Sequence, residues 1–134
     1  MRFLPLVFLF MTLTAQAVSG SWSASSVGGS VSVGNQILVS RPLTAPADLP
    51  ASAVVNRFVW HIDLLSPPPL GLQIKLCTSS ICFPLPGLSG EQRVPIALSA
   101  RETFRFVYAV ESRGPLSPPL QVVNNRLTLN YYSM

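Results

Sequence analysis

The stretch Arg57–Cys82, RFVWHIDLLSPPPLGLQIKLCTSSIC, decides the fold that this sequence predicts. Large apolar side chains occupy every second position of its first part, at Phe58, Trp60, Ile62 and Leu64. A period of two is typical of a strand with one apolar and one mixed face. The prolines at 67–69 then interrupt pairing, because proline has no N–H to donate to a ladder. The alternation resumes at Leu72, so the stretch predicts two strands, with a third returning after a turn at Thr78–Ser80.

Similar alternation appears later in the chain and predicts an all-β protein. It recurs in Glu102–Val110 and again in Arg126–Tyr132, whereas no run of ten residues has the spacing of an amphipathic helix. Weaker strand candidates are Gly20–Ser23, Gln36–Leu43, Ile81–Leu85 and Leu120–Val123. About eight short strands separated by turn signals favour an antiparallel β-sandwich in one domain, residues 18–134. A closed barrel is the alternative.

Some segments carry a weaker pattern and are given a looser interpretation. Residues 25–30 are rich in Ser and Gly and are predicted to be irregular, and Asn124-Asn125 is predicted to form a bend or turn. Gly87–Ala100 shows no clear period. Pro95 excludes a long helix from this segment but leaves open one helical turn at Gly90–Arg93.

The N-terminus has the pattern of a secretory signal peptide. Arg2 precedes an apolar run, Phe3–Leu13, and Ala15-Gln16-Ala17 matches a small-x-small cleavage site. The run is shorter than the roughly 20 apolar residues that a membrane-spanning helix needs. We therefore expect Met1–Ala17 to be removed and the secreted chain, which has no stable membrane insertion, to begin at Val18.

The charge pattern argues against a nucleic acid as a partner. The 134-residue chain carries nine basic and five acidic residues, a formal net charge of +4. The basic residues are scattered and form no cluster that follows a phosphate backbone. The excess fits a weak preference for acidic partners, and it fits a solvated surface equally well.

The two cysteines, Cys77 and Cys82, flank the predicted turn. An even number of cysteines in a secreted protein indicates a disulfide bond. A metal site with His61 as a third ligand is the alternative, but structural zinc requires four ligands and the chain has no second histidine.

The residues that bear catalytic chemistry are few. His61 and Asp63 lie two apart on a predicted strand and share its mixed face. A neighbouring surface or half-buried pair explains this better than a Ser-His-Asp triad, since no serine lies in a Gly-x-Ser-x-Gly elbow. The sequence does not exclude a pair of glycosidase carboxylates drawn from Asp48, Asp63, Glu91, Glu102 and Glu111. There is no phosphate loop, dinucleotide fingerprint or calcium loop, so we expect no cofactor and no enzyme activity.

Several stretches, taken in order, resemble the FlhE family of flagellar proteins. The most specific is Phe104-Arg105-Phe106-Val107-Tyr108, followed by Ser112-Arg113-Gly114-Pro115-Leu116. The others are Gly20-Ser21-Trp22-Ser23, Ser40–Pro46, Leu64-Leu65-Ser66-Pro67, Gly71-Leu72-Gln73-Ile74, the two cysteines and Leu127–Tyr131. The resemblance covers nearly the whole chain after Ala17.

This resemblance implies a periplasmic accessory protein of the flagellar type III export apparatus. Proteins of this kind are tied to swarming motility and are thought to limit proton leakage, as a plug or a chaperone. The expected partner is a periplasm-facing flagellar export or rod component. A pilus-type chaperone or an envelope sugar binder unrelated to flagella is the alternative function.

Three arginines are candidates for contact with that partner. Arg105 and Arg126 each lie opposite the apolar row of their own strand, and Arg113 lies in a Gly-Pro loop between those strands. If the two strands pair, the three guanidinium groups form one polar patch for an acidic or carbonyl-rich surface. Exposed strand edges beside Pro84 or Pro118 are a further place for a partner, although proline also discourages pairing at an edge.

Overall fold

The computed structural model describes residues 18–133, so the predicted signal peptide, Met1–Ala17, lies outside the described residues. The described part of the chain forms nine strands, where about eight were predicted. Their bounds are β1 Val18–Ser26, β2 Gly29–Val33, β3 Ile37–Val39, β4 Val54–Leu64, β5 Leu72–Cys77, β6 Cys82–Leu85, β7 Ser89–Arg93, β8 Arg105–Val110 and β9 Pro115–Ser133.

The strands form two antiparallel sheets that pack face to face. The larger sheet has the order β1-β9-β4-β7, and β2 also pairs with β9. The smaller sheet has the order β3-β8-β5-β6. The architecture is therefore the predicted antiparallel β-sandwich and not a closed barrel.

The alternation in β4 supplies much of the core between the sheets. Phe58, Trp60 and Ile62 are each at most 3% exposed, whereas the residues between them face solvent. The ring of Phe58 lies 5.6 Å from that of Phe83 in the facing sheet. Phe106 and Tyr108 of β8 are fully buried, so the predicted periodicity of both strands is confirmed.

Strand β9 is one strand of 19 residues, and the prediction of a turn at Asn124-Asn125 is wrong. The register along β4 shifts between the pairs Asp63–Asn124 and Leu64–Val122, so Val123 forms a bulge. The bulge turns the side chain of Asn125 into the core, where Asn125 is fully buried. The polar dipeptide therefore marks a change of face within a strand.

Two further segments are more regular than predicted. Ser89–Arg93 is an edge strand paired with β4, not a helical turn, although its sequence SGEQR has no β-branched or aromatic residue. The stretch predicted to be irregular is mostly strand, because β1 continues to Ser26 and β2 begins at Gly29. Both strands owe their form to pairing with a neighbouring strand rather than to their own composition.

The described residues contain no helix of the length and apolar character that crossing a bilayer requires.

Candidate binding surface

The disulfide bond predicted between Cys77 and Cys82 is present. The two cysteines face each other across β5 and β6, at the end of a tight hairpin. Thr78 organises the turn, because its hydroxyl accepts hydrogen bonds from the N–H groups of Ser80 and Ile81. The bond consumes both thiols, and His61 lies in the other sheet, so the alternative metal site is not formed.

Arg105 lies next to this disulfide. It is exposed and stands opposite Cys77 in the pairing of β8 with β5. It lines a shallow cleft together with Cys77, Val39, Thr78, Ser79, Thr103 and Val107. The sheet register therefore joins two features, the cysteine pair and Arg105, that sequence reasoning treated separately.

The outer face of the smaller sheet is cationic. Its four strands carry Lys75 and Arg105 and contain no Asp or Glu. Lys75 is exposed and faces Val107 on β8 and Pro84 on β6. We call this surface the disulfide face, defined by Lys75, Cys77, Cys82, Arg105 and Val107. Two cations without a carboxylate on the same strands favour an acidic ligand.

The structure does not bring the three candidate arginines into one patch. Strands β8 and β9 lie in different sheets, because the chain crosses the sandwich between Val110 and Pro115. Arg105 and Arg126 therefore project from opposite faces of the molecule. Arg113 lies in the crossing loop, and the pairing of β8 with β9 on which the patch depended is absent.

His61 and Asp63 form an exposed pair on the outer face of the larger sheet. The Nε2 atom of His61 lies 2.9 Å from Oδ1 of Asp63, and the side chains are 62% and 52% exposed. The candidate carboxylate Glu91 is engaged by Arg57 at 2.5 Å, also at the surface. Within residues 18–133, no three His, Cys, Asp or Glu residues lie close enough together to hold a metal ion. These groups are solvated surface pairs.

A buried polar network that sequence reasoning missed joins the two sheets. The Tyr108 hydroxyl donates a hydrogen bond to Oδ1 of Asn125, and Nδ2 of Asn125 donates to the Ser26 carbonyl at 3.2 Å. Burial raises the pKa of Tyr108 above its ordinary value of 10.0. The sequence signal was a tyrosine on the apolar face of a strand, since a buried hydroxyl needs a partner. The network fixes how β1, β8 and β9 align.

A second surface that the sequence analysis did not identify is an apolar tip rich in proline. Leu65 is 71% exposed and Leu70 is 95% exposed. The segments LSPPP at 65–69 and LSPP at 116–119 lie close together here, and residues of both line one cleft. They mark the end of the sandwich at which the chain changes sheet three times, after β2, β4 and β8.

The fold and the disulfide face define a class, the small disulfide-linked β-sandwich with a cationic outer face. The family described as "Flagellar protein FlhE" matches residues 28–132. The chain belongs to the FlhE family of flagellar proteins, and the resemblance seen in the sequence is confirmed.

Individual relatives cover nearly the whole chain. A "Flagellar protein FlhE" of Escherichia coli K12 is 37% identical over 131 residues, which are 98% of this chain and 99% of that protein. One of Yersinia enterocolitica is 38% identical over 122 residues, 90% of this chain and 86% of that protein. A solved structure titled "Crystal Structure of FLHE" has a TM-score of 0.77 at 34% identity and covers 84% of this chain and 96% of that one.

Proposed function

We propose that this protein is a periplasmic, non-catalytic accessory protein of the flagellum. It binds a periplasm-facing component of the export apparatus or the rod, and it limits proton leakage through the apparatus during export and swarming. The observation that carries the proposal is membership of the FlhE family across nearly the whole chain.

The disulfide supports the choice of compartment. Disulfide bonds persist in oxidising compartments such as the bacterial periplasm and are rare in the cytosol. The bond between Cys77 and Cys82 joins the two strands that carry part of the candidate surface. The predicted signal peptide leads to the same compartment.

The disulfide face supports a role in which the protein acts by occupying a site on its partner. Lys75 and Arg105 project from a rigid sheet, and the disulfide fixes the adjoining hairpin. A rigid surface loses little conformational entropy on binding, which favours a seal held by shape and charge. The partner surface is expected to be acidic or rich in carbonyl groups, which an arginine binds through several N–H donors.

The test is the cytoplasmic pH of cells with active flagellar export, read by a ratiometric reporter. Deletion of the gene should acidify the cytoplasm, and only when the export apparatus is present. Protein without Met1–Ala17, confined to the cytoplasm, should not restore the pH. An unchanged pH in both backgrounds would reject the proton seal and leave a chaperone or an envelope-binding module as the function.

A pair of variants then tests the surface itself. Arg105→Ala removes a cation from the disulfide face, and Arg126→Ala removes one from the opposite face of the sandwich. Both arginines are exposed, so neither change should alter the free energy of unfolding by more than about 0.5 kcal/mol. Arg105→Ala should fail to restore the pH of a deletion strain while Arg126→Ala restores it. Equal rescue by both variants would remove the disulfide face from the mechanism.

A further inference from the structure

The two lateral edges of the sandwich differ in how they meet solvent. One edge, which we call the closed edge, consists of β6 and β7; the other, the open edge, consists of β1, β2 and β3. Strands β2 and β3 lie side by side across the sandwich, since a Cβ on Gly29 of β2 would lie 2.9 Å from the Leu38 side chain of β3. Each edge thus includes strands from both sheets.

Strand β1 of the open edge lacks the usual protection against strand addition, whereas β2 contains a register shift and β3 is only three residues long. Natural edge strands are blocked by charged residues, proline, bulges or short length. Residues 18–40, which include all three strands of the open edge, contain no charged residue and no proline. Strand β1 alone is nine residues long, VSGSWSASS, and within residues 18–133 its sheet partner is β9.

The main-chain groups of alternate β1 residues point to the free side of the strand. Ile62 donates its N–H to Leu88, so the main-chain groups of Ile62 point toward β7. In an antiparallel strand, the main-chain groups of successive residues point to opposite sides. The main-chain groups of His61 therefore point toward Arg126 of β9, and the groups of successive β9 residues point alternately to β4 and to β1. The residues of β1 left facing outward are Ser19, Ser21, Ser23 and Ser25.

Exposed apolar side chains lie on or next to the other two strands of the open edge, β2 and β3. Val27 precedes β2 and is 64% exposed, and Val33, the last residue of β2, is 47% exposed. Ile37 and Val39 of β3 are 68% and 50% exposed. The closed edge differs, since none of the large apolar residues of β6 and β7 is exposed. The open edge therefore combines an unpaired ladder with apolar surface, as an interface does.

We propose that the open edge binds a second copy of this chain by antiparallel pairing of β1 with β1. The two larger sheets then form one continuous sheet of ten strands. A two-fold interface requires a surface that is complementary to itself. An uncharged strand meets this condition, because self-pairing brings no like charges together. The proposal does not rest on the function proposed above.

The expected dimer is reversible. Stable interfaces bury roughly 1,200–2,000 Å². The proposed contact is a single strand pair of nine residues, so we expect a weak dimer. Maximal overlap of β1 with its copy pairs Ser21 with the Ser23 of the second copy. Dimer should therefore form progressively as the protein concentration rises.

Sedimentation velocity over about a hundredfold range of concentration tests the proposal. The wild-type protein, with its N-terminal residue determined, should shift from monomer to dimer. Ser21→Pro removes an outward N–H and should remain monomeric, whereas the matched control Ser21→Ala keeps the N–H and should dimerise like the wild type. A wild-type protein that is monomeric throughout overturns the proposal and leaves the edge to a strand of another protein.

A charge-reversal pair decides the matter even if Ser21→Pro does not fold. Ser21→Lys and Ser21→Glu keep the main-chain N–H and place like charges near each other in the dimer. Each variant alone should be shifted at least tenfold toward monomer at low salt, and an equimolar mixture should recover the dimer. Dimerisation that is unchanged in both variants would exclude β1 as the interface.

Discussion

The closed and open edges of this sandwich are held by different kinds of interaction. At the closed edge, the Cys77–Cys82 disulfide links β5 to β6, and Trp60 donates a hydrogen bond to the Gly87 carbonyl at 2.9 Å. At the open edge, Trp22 donates to the Ala100 carbonyl at 3.1 Å, and the hydroxyls of Ser23 and Thr128 lie 2.8 Å apart. One edge is held by a covalent bond, and the other by packing and hydrogen bonds.

The two edges also differ in the distance along the chain that their contacts span. The disulfide joins residues five apart, and Trp60 is 27 residues from its carbonyl partner. The contacts of Trp22 and Ser23 span 78 and 105 residues. Local contacts lose less chain entropy on forming. The comparison therefore predicts that each edge opens separately, and that the open edge is the easier one to detach.

The largest expected effect comes from Trp22→Ala. Trp22 is 5% exposed and packs against Phe104 with 6.1 Å between ring centroids. Its removal should lower the free energy of unfolding by about 3–5 kcal/mol, because it leaves a cavity and an unpaired carbonyl. Urea unfolding measures the loss. Hydrogen exchange should rise in β1 while the β5–β6 hairpin keeps its protection.

Trp22→Phe is the matched control for that experiment. It retains an aromatic ring against Phe104 and loses the hydrogen bond to Ala100, so it should cost about 1–2 kcal/mol. If Trp22→Ala raised exchange equally at both edges, the edges would open as one unit and the comparison would fail.

The next effect in size concerns the closed edge. Replacement of both Cys77 and Cys82 by serine should lower the free energy of unfolding by about 2 kcal/mol, because the disulfide closes a short loop in the unfolded chain. Urea unfolding of the variant, with the reduced wild type as control, gives the value. Faster exchange should be confined to β5 and β6. Faster exchange in β1 instead would contradict a local role for the disulfide.

The smallest effect concerns the buried network beneath the open edge. Tyr108→Phe leaves Oδ1 of Asn125 without its donor and should cost about 1.5 kcal/mol. Asn125→Asp is not a suitable control, because it adds a buried charge; Tyr131→Phe, on the same sandwich and only partly buried, is suitable. Urea unfolding at neutral pH measures both variants.

Tyr108→Phe should also change the pH dependence of the free energy of unfolding. Burial raises the pKa of Tyr108 in the folded protein above 10.0, its ordinary value. The unfolded chain therefore loses this proton first, so the stability that the buried neutral phenol contributes is present below pH 10 and falls above it. Tyr108→Phe should lose less stability than the wild type between about pH 9 and pH 11. Parallel losses would show that Tyr108 does not carry this dependence.

Local pattern predicted the strands that line the core. Phe58, Trp60 and Ile62 alternate with solvent-facing residues, and β4 follows that alternation from Arg57 to Asp63. The same reasoning identified β5, the returning β6 and β8. The disulfide followed from two cysteines flanking a turn in a chain predicted to be secreted. In each case the information lies within ten residues or so, where side-chain direction is set by the period of the strand.

Features that depend on distant pairing were not predicted. Strand β7 has the composition of a loop and is a strand because β4 supplies hydrogen-bond partners. Asn125 was interpreted as a turn residue because its buried partner, Tyr108, lies in the other sheet. The separation of Arg105 from Arg126 follows from the sheet to which each strand belongs, which residue spacing does not encode. The open edge was not predicted for the same reason, because a strand lies at an edge only when the fold places no other strand beside it.

The pairing of Val18 with Ser133 constrains the order in which the strands can pair as the chain is synthesised. A polypeptide is synthesised from its N-terminus, so β1 emerges first, whereas β9, its ladder partner, is the last of the nine strands to emerge. Strand β4 can pair with β7 before β9 has emerged, but its other ladder is formed with the same stretch of β9. The larger sheet therefore cannot be completed before β9 has emerged.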